Sequence, residues 1–141
     1  MDRRVDLRLR RQHVLAARPS GPPQVWAVLD EAALRRPAGS AATMRAQLRH
    51  LIRRTEDPHV RIFIVPFSAG QAGAVGSPVS ILRFPGQLIP DVVYTENLTQ
   101  AIYPEMPAEI RHYWHLMNTL ATHALSADDT MTFVRQVLSD T

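Results

Sequence analysis

Cysteine and lysine are both absent from this sequence. Without cysteine there is no disulfide framework, no thiolate metal site and no nucleophilic thiol. Without lysine, Schiff-base and lysine-nucleophile mechanisms are excluded. No apolar run approaches the roughly 18 residues of a membrane span. The start, Met1-Asp2-Arg3-Arg4-Val5-Asp6-Leu7-Arg8, is too charged to form the apolar region of a signal peptide. The expectation is a cytoplasmic protein with no membrane partner. Also missing are a Gly-x-Ser-x-Gly elbow, a His-Glu-x-x-His pair and a Ser-His-Asp order, so no hydrolase signature is legible.

What is present suits one ordinary domain. The 141 residues fall within the commonest domain size, roughly 100–150 residues. Hydrophobic residues make up 45% of the chain, enough for one core without staples. The expected organisation is a single domain over 1–141: an Arg-rich helix and linker at 1–20, a sheet region with an inserted helix at 24–104, and C-terminal helices at 105–141. All 16 basic residues are arginine, which beside abundant alanine and 11 prolines reads as the codon bias of a GC-rich genome. Charge is polarised along the chain. Residues 1–54 hold 12 arginines against four acids, a net of +8, and residues 55–141 hold four arginines against nine acids, a net of −5. A basic half points to nucleic acid or an acidic partner. It points as economically to the two halves pairing with each other or across a dimer.

The chain reads as follows. Residues 2–17 form a helix with a thin apolar stripe through Val5 and Leu9, broken by Arg18-Pro19-Ser20-Gly21-Pro22-Pro23. Gln24 to Leu29 suits a buried strand, and Asp30 to Arg36 a short helical turn stopped by Pro37 and Gly39. Ser40 is the N-cap of a helix whose Ala41, Met44, Leu48, Leu51 and Ile52 share a face. Val60 to Phe67 is the clearest strand. A small-residue loop at 68–77 follows, then strands at 78–84 and 91–96 and a short extended piece from Gln100 to Tyr103. Pro107 opens a helix in which Met106, Ile110, Tyr113, Trp114, Met117, Leu120, Ala121 and Ala124 keep the 3.6-residue period. Ser126-Ala127-Asp128-Asp129 begins the last helix. Consecutive strands joined by short turns predict an α+β fold: a mainly antiparallel sheet of four to five strands, with helices at the N-terminus, after the first strand, and as a C-terminal pair.

Three groups of residues could carry chemistry. The glycines of Gly70-Gln71-Ala72-Gly73-Ala74-Val75-Gly76 match neither the dinucleotide fingerprint nor a P-loop, and they lead into a strand, so a mobile hairpin loop is expected. His112 and His115 could share a zinc ion. His123 lies eight residues beyond His115, about 12 Å along the axis, too far to join them. With no third ligand the face reads as solvated, and neither a metal nor a cofactor is expected. Tyr94 and Glu96 alternate onto one face of their strand, and Asp30 and Glu31 close another strand beside Arg35 and Arg36. These can be acid–base groups in a pocket; helix caps and ion pairs are the plainer roles.

Several of these segments together resemble a known family. They are Val25-Trp26-Ala27-Val28-Leu29-Asp30-Glu31-Ala32-Ala33-Leu34-Arg35-Arg36-Pro37, then Met44 to Leu48, Pro58 to Gly70, Ile81 to Phe84, and Val92 to Glu96. In this order they are similar to the C-terminal domain of unknown function of actinobacterial XRE-type helix-turn-helix regulators, described as antitoxin-like. The resemblance implies a sensing or partner-binding domain without the helix-turn-helix that usually precedes it. The leading expectation is therefore a stand-alone ligand- or protein-binding regulatory module, homodimeric through the first helix or the C-terminal helices. Its partner would be a small molecule, a peptide or a small acidic protein. Contacts are expected among Trp26, Asp30, Glu31, Arg35, Phe67, Arg83, Tyr94 and Glu96. The alternative is a small tailoring enzyme of a natural-product or peptide pathway, such as a cyclase, with Glu96, Tyr94 and Asp30 as acid–base groups or with the protein orienting a reactive substrate. Nucleic-acid binding through residues 3–54 is the weakest of the three expectations.

Overall fold

A computed structural model of the chain describes residues 3–15, 21–73 and 77–141. Helix α1, Arg3–Gln12, runs on as a 3-10 turn, His13–Leu15. Strand β1, Val25–Asp30, leads into α2, Glu31–Arg35, and then α3, Ala41–Arg54. Strand β2, Val60–Val65, is followed by 3-10 turns over Phe67–Gly73, β3 (Val79–Leu82), β4 (Val92–Glu96) and β5 (Ala101–Ile102). Two helices close the chain, α4 (Pro107–His123) and α5 (Ala127–Asp140).

The α+β expectation holds, but the five strands divide between two sheets rather than sharing one. β1 and β2 form a parallel pair; β3, β4 and β5 form an antiparallel sheet in sequence order. The connections explain the split. A helical crossover through α2 and α3 brings the chain back in the same direction, whereas short turns reverse it between β3, β4 and β5. The first part of the glycine loop coils into 3-10 turns, to Gly73, and residues 74–76 lie outside the described residues. Its kink falls at Gly70, whose φ of 60° and ψ of −142° belong to a backbone region open mainly to glycine. The breaker at 18–20 and the end of the first helix beyond Leu15 also lie outside the described residues.

The contacts of the chain gather into two compact units. The first comprises Met1–Ala27, Pro37–Ile62 and Ala127–Thr141. Its centre is α3 packed on α5, with Met44 and Leu48 buried on one helix and Thr130, Val134 and Val137 on the other. As expected, Ser40 caps α3, its Oγ accepting from the Thr43 N–H at 3.2 Å. Arg45 Nη1 donates to the carbonyl of Thr141 at 2.8 Å, tying the end of the chain to α3. Helix α1 leaves Val5, Leu7 and Leu9 exposed, and the 3-10 turn after it leaves Val14 exposed.

The second unit comprises Val28–Arg36 and Phe63–Ser126. Its core takes Leu34, Ile64, Val65, Val93 and Leu120, with α4 lying against β3 and β4. Register pairs Val79 with Thr95, Ser80 with Tyr94, Ile81 with Val93 and Leu82 with Val92. Side chains alternate across a strand, so Val93 and Thr95 turn inward and Tyr94 and Glu96 outward. Pro107 occupies the first turn of α4, where its missing N–H costs nothing. Met106 sits just before that turn with ψ 129°, off the helical stripe, and is exposed rather than part of the apolar face.

Candidate ligand-binding site

The eight residues expected at a binding site do not converge. Trp26 lies in the first unit with 74% of its surface exposed, and the other seven belong to the second unit. Within that unit they form three separate groups, each with its own local cause.

The first group is structural. Asp30 caps α2, its Oδ1 accepting from the Ala32 N–H at 2.6 Å. Glu31 is buried with both oxygens engaged: Oε1 with Arg35 Nε, one helical turn on, and Oε2 with the backbone N–H of Phe67 at 2.8 Å. A buried carboxylate needs such partners to stay charged. Glu31 thus fastens α2 to the segment leaving β2, and the Phe67 ring itself stays exposed. The roles here are cap and tether, the plainer of the two readings.

The second group is Tyr94 and Glu96 on the outward face of β4, where the Tyr94 hydroxyl donates to Glu96 Oε2 at 2.9 Å. The Tyr94 ring also tilts against Tyr103, with centroids 5.3 Å apart. Asp30, the third proposed acid–base group, caps its own helix instead of joining them.

The third group centres on Arg83, and here two neighbours join that the sequence did not mark. Asp91 Oδ2 lies 3.2 Å from Arg83 Nη2 and 3.4 Å from its Nε. The same oxygen accepts from the Trp114 indole N–H at 2.8 Å. The Arg83 guanidinium stands 4.2 Å from the centroid of the Trp114 ring, a cation–π contact. Arg83's hydrogen bond, supported by the indole N–H and the guanidinium charge and opposed by partial burial, holds the Asp91 carboxyl below its ordinary value of 3.8.

Backbone chemistry builds this place. Phe84 precedes a proline and adopts the extended conformation that this requires, with ψ 142°. Gly86, at φ 79° and ψ 3°, has the third-position geometry of a type II turn, which Pro85 and Gly86 suit. The reversal brings Arg83, Phe84, Ile89, Pro90 and Asp91 around a surface hollow of about 400 Å³. That is within the range of small-molecule sites, roughly 300–1,000 Å³. The hollow therefore sets three apolar side chains beside a charged pair that the Trp114 indole holds.

A signal for the missed residues did exist. A tryptophan on the inner face of a helix carries one N–H that needs an acceptor, and Asp91 is the carboxylate at the head of the strand beside it. His112, His115 and His123 of α4 are exposed. Among the described residues no buried side-chain polar atom lacks a hydrogen-bond partner.

Comparison with known proteins places the chain. A family model described as Domain of unknown function (DUF5753) matches residues 1–136. The chain belongs to that family. No curated protein and no solved structure matches it. The DUF5753 match covers Arg83, Asp91 and Trp114 and ends within α5, so the whole hollow lies inside the domain. No helix among the described residues is long and apolar enough to cross a membrane.

Proposed function

We propose that this DUF5753 chain is a binding module of the effector type carried by actinobacterial XRE-type regulators, and that it holds a small molecule in the hollow beside Arg83. The observation that carries this reading is the Arg83–Asp91–Trp114 arrangement. It fixes a cation beside the apolar Phe84, Ile89 and Pro90 at the hollow and commits none of its groups to proton transfer. A carboxylate held below its ordinary pKa by a guanidinium is a poor general base near neutrality. The site is thus suited to holding a ligand rather than transforming it. A peptide or small acidic partner, or a second copy of the chain, would use the exposed arginine-rich α1 as a separate surface.

A thermal-shift screen of small molecules on the whole chain, run beside Arg83→Gln, tests the reading. A ligand at about 100 times its Kd stabilises a folded protein by about 2.7 kcal/mol. Compounds that stabilise the natural chain and not Arg83→Gln are the expected result. Compounds that shift both chains alike, or none at all, would remove this site from the proposal.

The outward Tyr94–Glu96 pair supports a second reading, a tailoring enzyme. Tyr94→Phe and Glu96→Gln would each lower turnover of a biosynthetic substrate if it is right. Unchanged turnover in both would end it.

A further inference from the structure

The hydrogen-bonding groups left open at the hollow identify the class of molecule it takes. Resting on the reading that this hollow holds a ligand, we propose that the ligand is a free α-amino acid with an apolar side chain.

Arg83 uses the side edge of its guanidinium, Nε and Nη2, on a single oxygen of Asp91. Its end edge, formed by Nη1 and the second hydrogen of Nη2, meets no hydrogen-bond partner among the described residues. That edge is the planar fork that accepts a carboxylate through two parallel bonds. The indole of Trp114 holds the guanidinium from one face, so the fork is oriented before a ligand arrives. Arg83 is 66% exposed along its side chain, so the fork is open to solvent.

Asp91 is divided in the same way. Its Oδ2 accepts from Arg83 and from the Trp114 indole, while Oδ1 has no side-chain or backbone donor among the described residues. Asp91 is a carboxylate at neutral pH, as aspartates ordinarily are, and the Arg83 hydrogen bond lowers its pKa further. The hollow therefore offers a cationic fork and an anionic acceptor side by side, with a net charge of zero across the pair. A simple anion placed there meets Asp91 as well as Arg83, and a simple cation meets the reverse. A ligand that carries a carboxylate and an ammonium on one carbon satisfies both at once.

The remaining wall selects the rest of the molecule. Phe84, Ile89 and Pro90 are apolar, and Ile89 and Pro90 are exposed around the hollow. They leave an apolar side chain the favoured substituent. The hollow of about 400 Å³ has room for one amino acid. In a peptide the amine and the carboxylate sit on different residues, which pulls apart the two charges that this pair brings together.

The test titrates the whole chain with L-leucine while the Trp114 indole N–H resonance is followed by NMR, since that proton sits on Asp91. A saturable shift is expected. N-acetyl-L-leucine, which lacks the ammonium, and L-leucinamide, which lacks the carboxylate, should each bind about tenfold or more weakly than L-leucine, the scale of one lost charge-assisted hydrogen bond. L-leucyl-L-alanine should also be weaker, and Arg83→Gln should abolish the response to L-leucine while keeping the circular dichroism of the natural chain. Equal binding of N-acetyl-L-leucine would make this an anion site and overturn the assignment, as would equal binding of leucinamide or of the dipeptide. If L-leucine causes no saturable shift while the thermal-shift screen finds another compound that depends on Arg83, the amino-acid assignment fails and the binding-module reading stands. If neither experiment finds a ligand, both fall.

Discussion

The two units of this chain differ in the polar groups that tie their distant segments together. In the first, Ser40 and Thr55 close the two ends of α3, and long-range ties run from Arg45 to the carbonyl of Thr141 and from the Thr55 hydroxyl to the Met131 sulfur, with no carboxylate among them. Its centre is left to Met44, Leu48, Val134 and Val137, which meet across two helices. In the second, carboxylates make the ties, Glu31 to the Phe67 N–H and Asp91 to both Arg83 and Trp114. A helical pair can be held by apolar area alone. A thin three-stranded sheet under one helix has less to bury, so charged groups are recruited to fix its loops, and the groups so placed are those a ligand can meet.

Removing core side chains should give the largest effects. Leu48, at 1% exposure in the first unit, and Ile64, at 0% in the second, are the matched pair. Leu48→Ala and Ile64→Ala should each cost about 2–5 kcal/mol in urea denaturation, from lost burial plus the cavity left behind. In a Trp26→Phe background the near-ultraviolet circular dichroism of Trp114 reports the second unit, and the far-ultraviolet signal reports mainly helix. Coincident transitions in Leu48→Ala would show that the units unfold as one, and separated transitions that they do not.

Next in size is the buried tether. Glu31→Ala strands the Phe67 N–H and should cost about 1–3 kcal/mol. Glu31→Gln keeps an acceptor oxygen and should cost less, so the ratio of the two urea midpoints reads the tether apart from the charge. Loss of a cap follows: Ser40→Ala in the first unit and Asp30→Ala in the second should each cost about 1 kcal/mol. Equal costs would show that capping is a local property, indifferent to the unit that contains it.

The smallest effect concerns Asp91. Its folded-state pKa lies below the ordinary 3.8, with the Arg83 hydrogen bond as the largest cause. The unfolded chain therefore binds more protons in the interval between the two values, and stability rises with pH there. The contribution is fully present above about the ordinary carboxyl value and disappears as pH falls through the folded value. For a partly exposed pair it amounts to roughly 0–1 kcal/mol. Urea midpoints measured from neutral pH down to strongly acidic conditions should converge for the natural chain and Asp91→Asn at the acid end. A constant gap at all pH values would contradict the ion pair.

Much of the local structure was legible because it depends on near neighbours. Ser40 as a cap, Pro107 at the head of a helix and the alternation of Val93 and Thr95 against Tyr94 and Glu96 each follow from a few adjacent residues. The short piece at Gln100 to Tyr103 is a strand of two residues, at the place where it was read. Met106 was misplaced because a repeat of 3.6 residues does not say where the helix begins. The site was only partly legible. Arg83 was singled out, but it was grouped with residues that the fold sends elsewhere: Tyr94 and Glu96 to the outer face of β4, Asp30 and Glu31 to α2. Asp91 and Trp114 are 23 residues apart, and no local pattern joins them.

By itself the sequence determined what this protein is made of: no thiol, no lysine, one strongly basic half, and a succession of helices and strands set by periodicity, caps and proline. The reversal at Pro85 and Gly86 depends equally on backbone preferences of neighbouring residues, and its geometry, with Gly86 at φ 79° and ψ 3°, is a finding of the structure. Tertiary structure decided which strands pair and in what direction, since that depends on where a crossover returns the chain. It also decided that Arg83, Asp91 and Trp114 meet at one hollow. The indole N–H, the carboxylate and the guanidinium satisfy one another only when a turn, a strand and a helix are packed together.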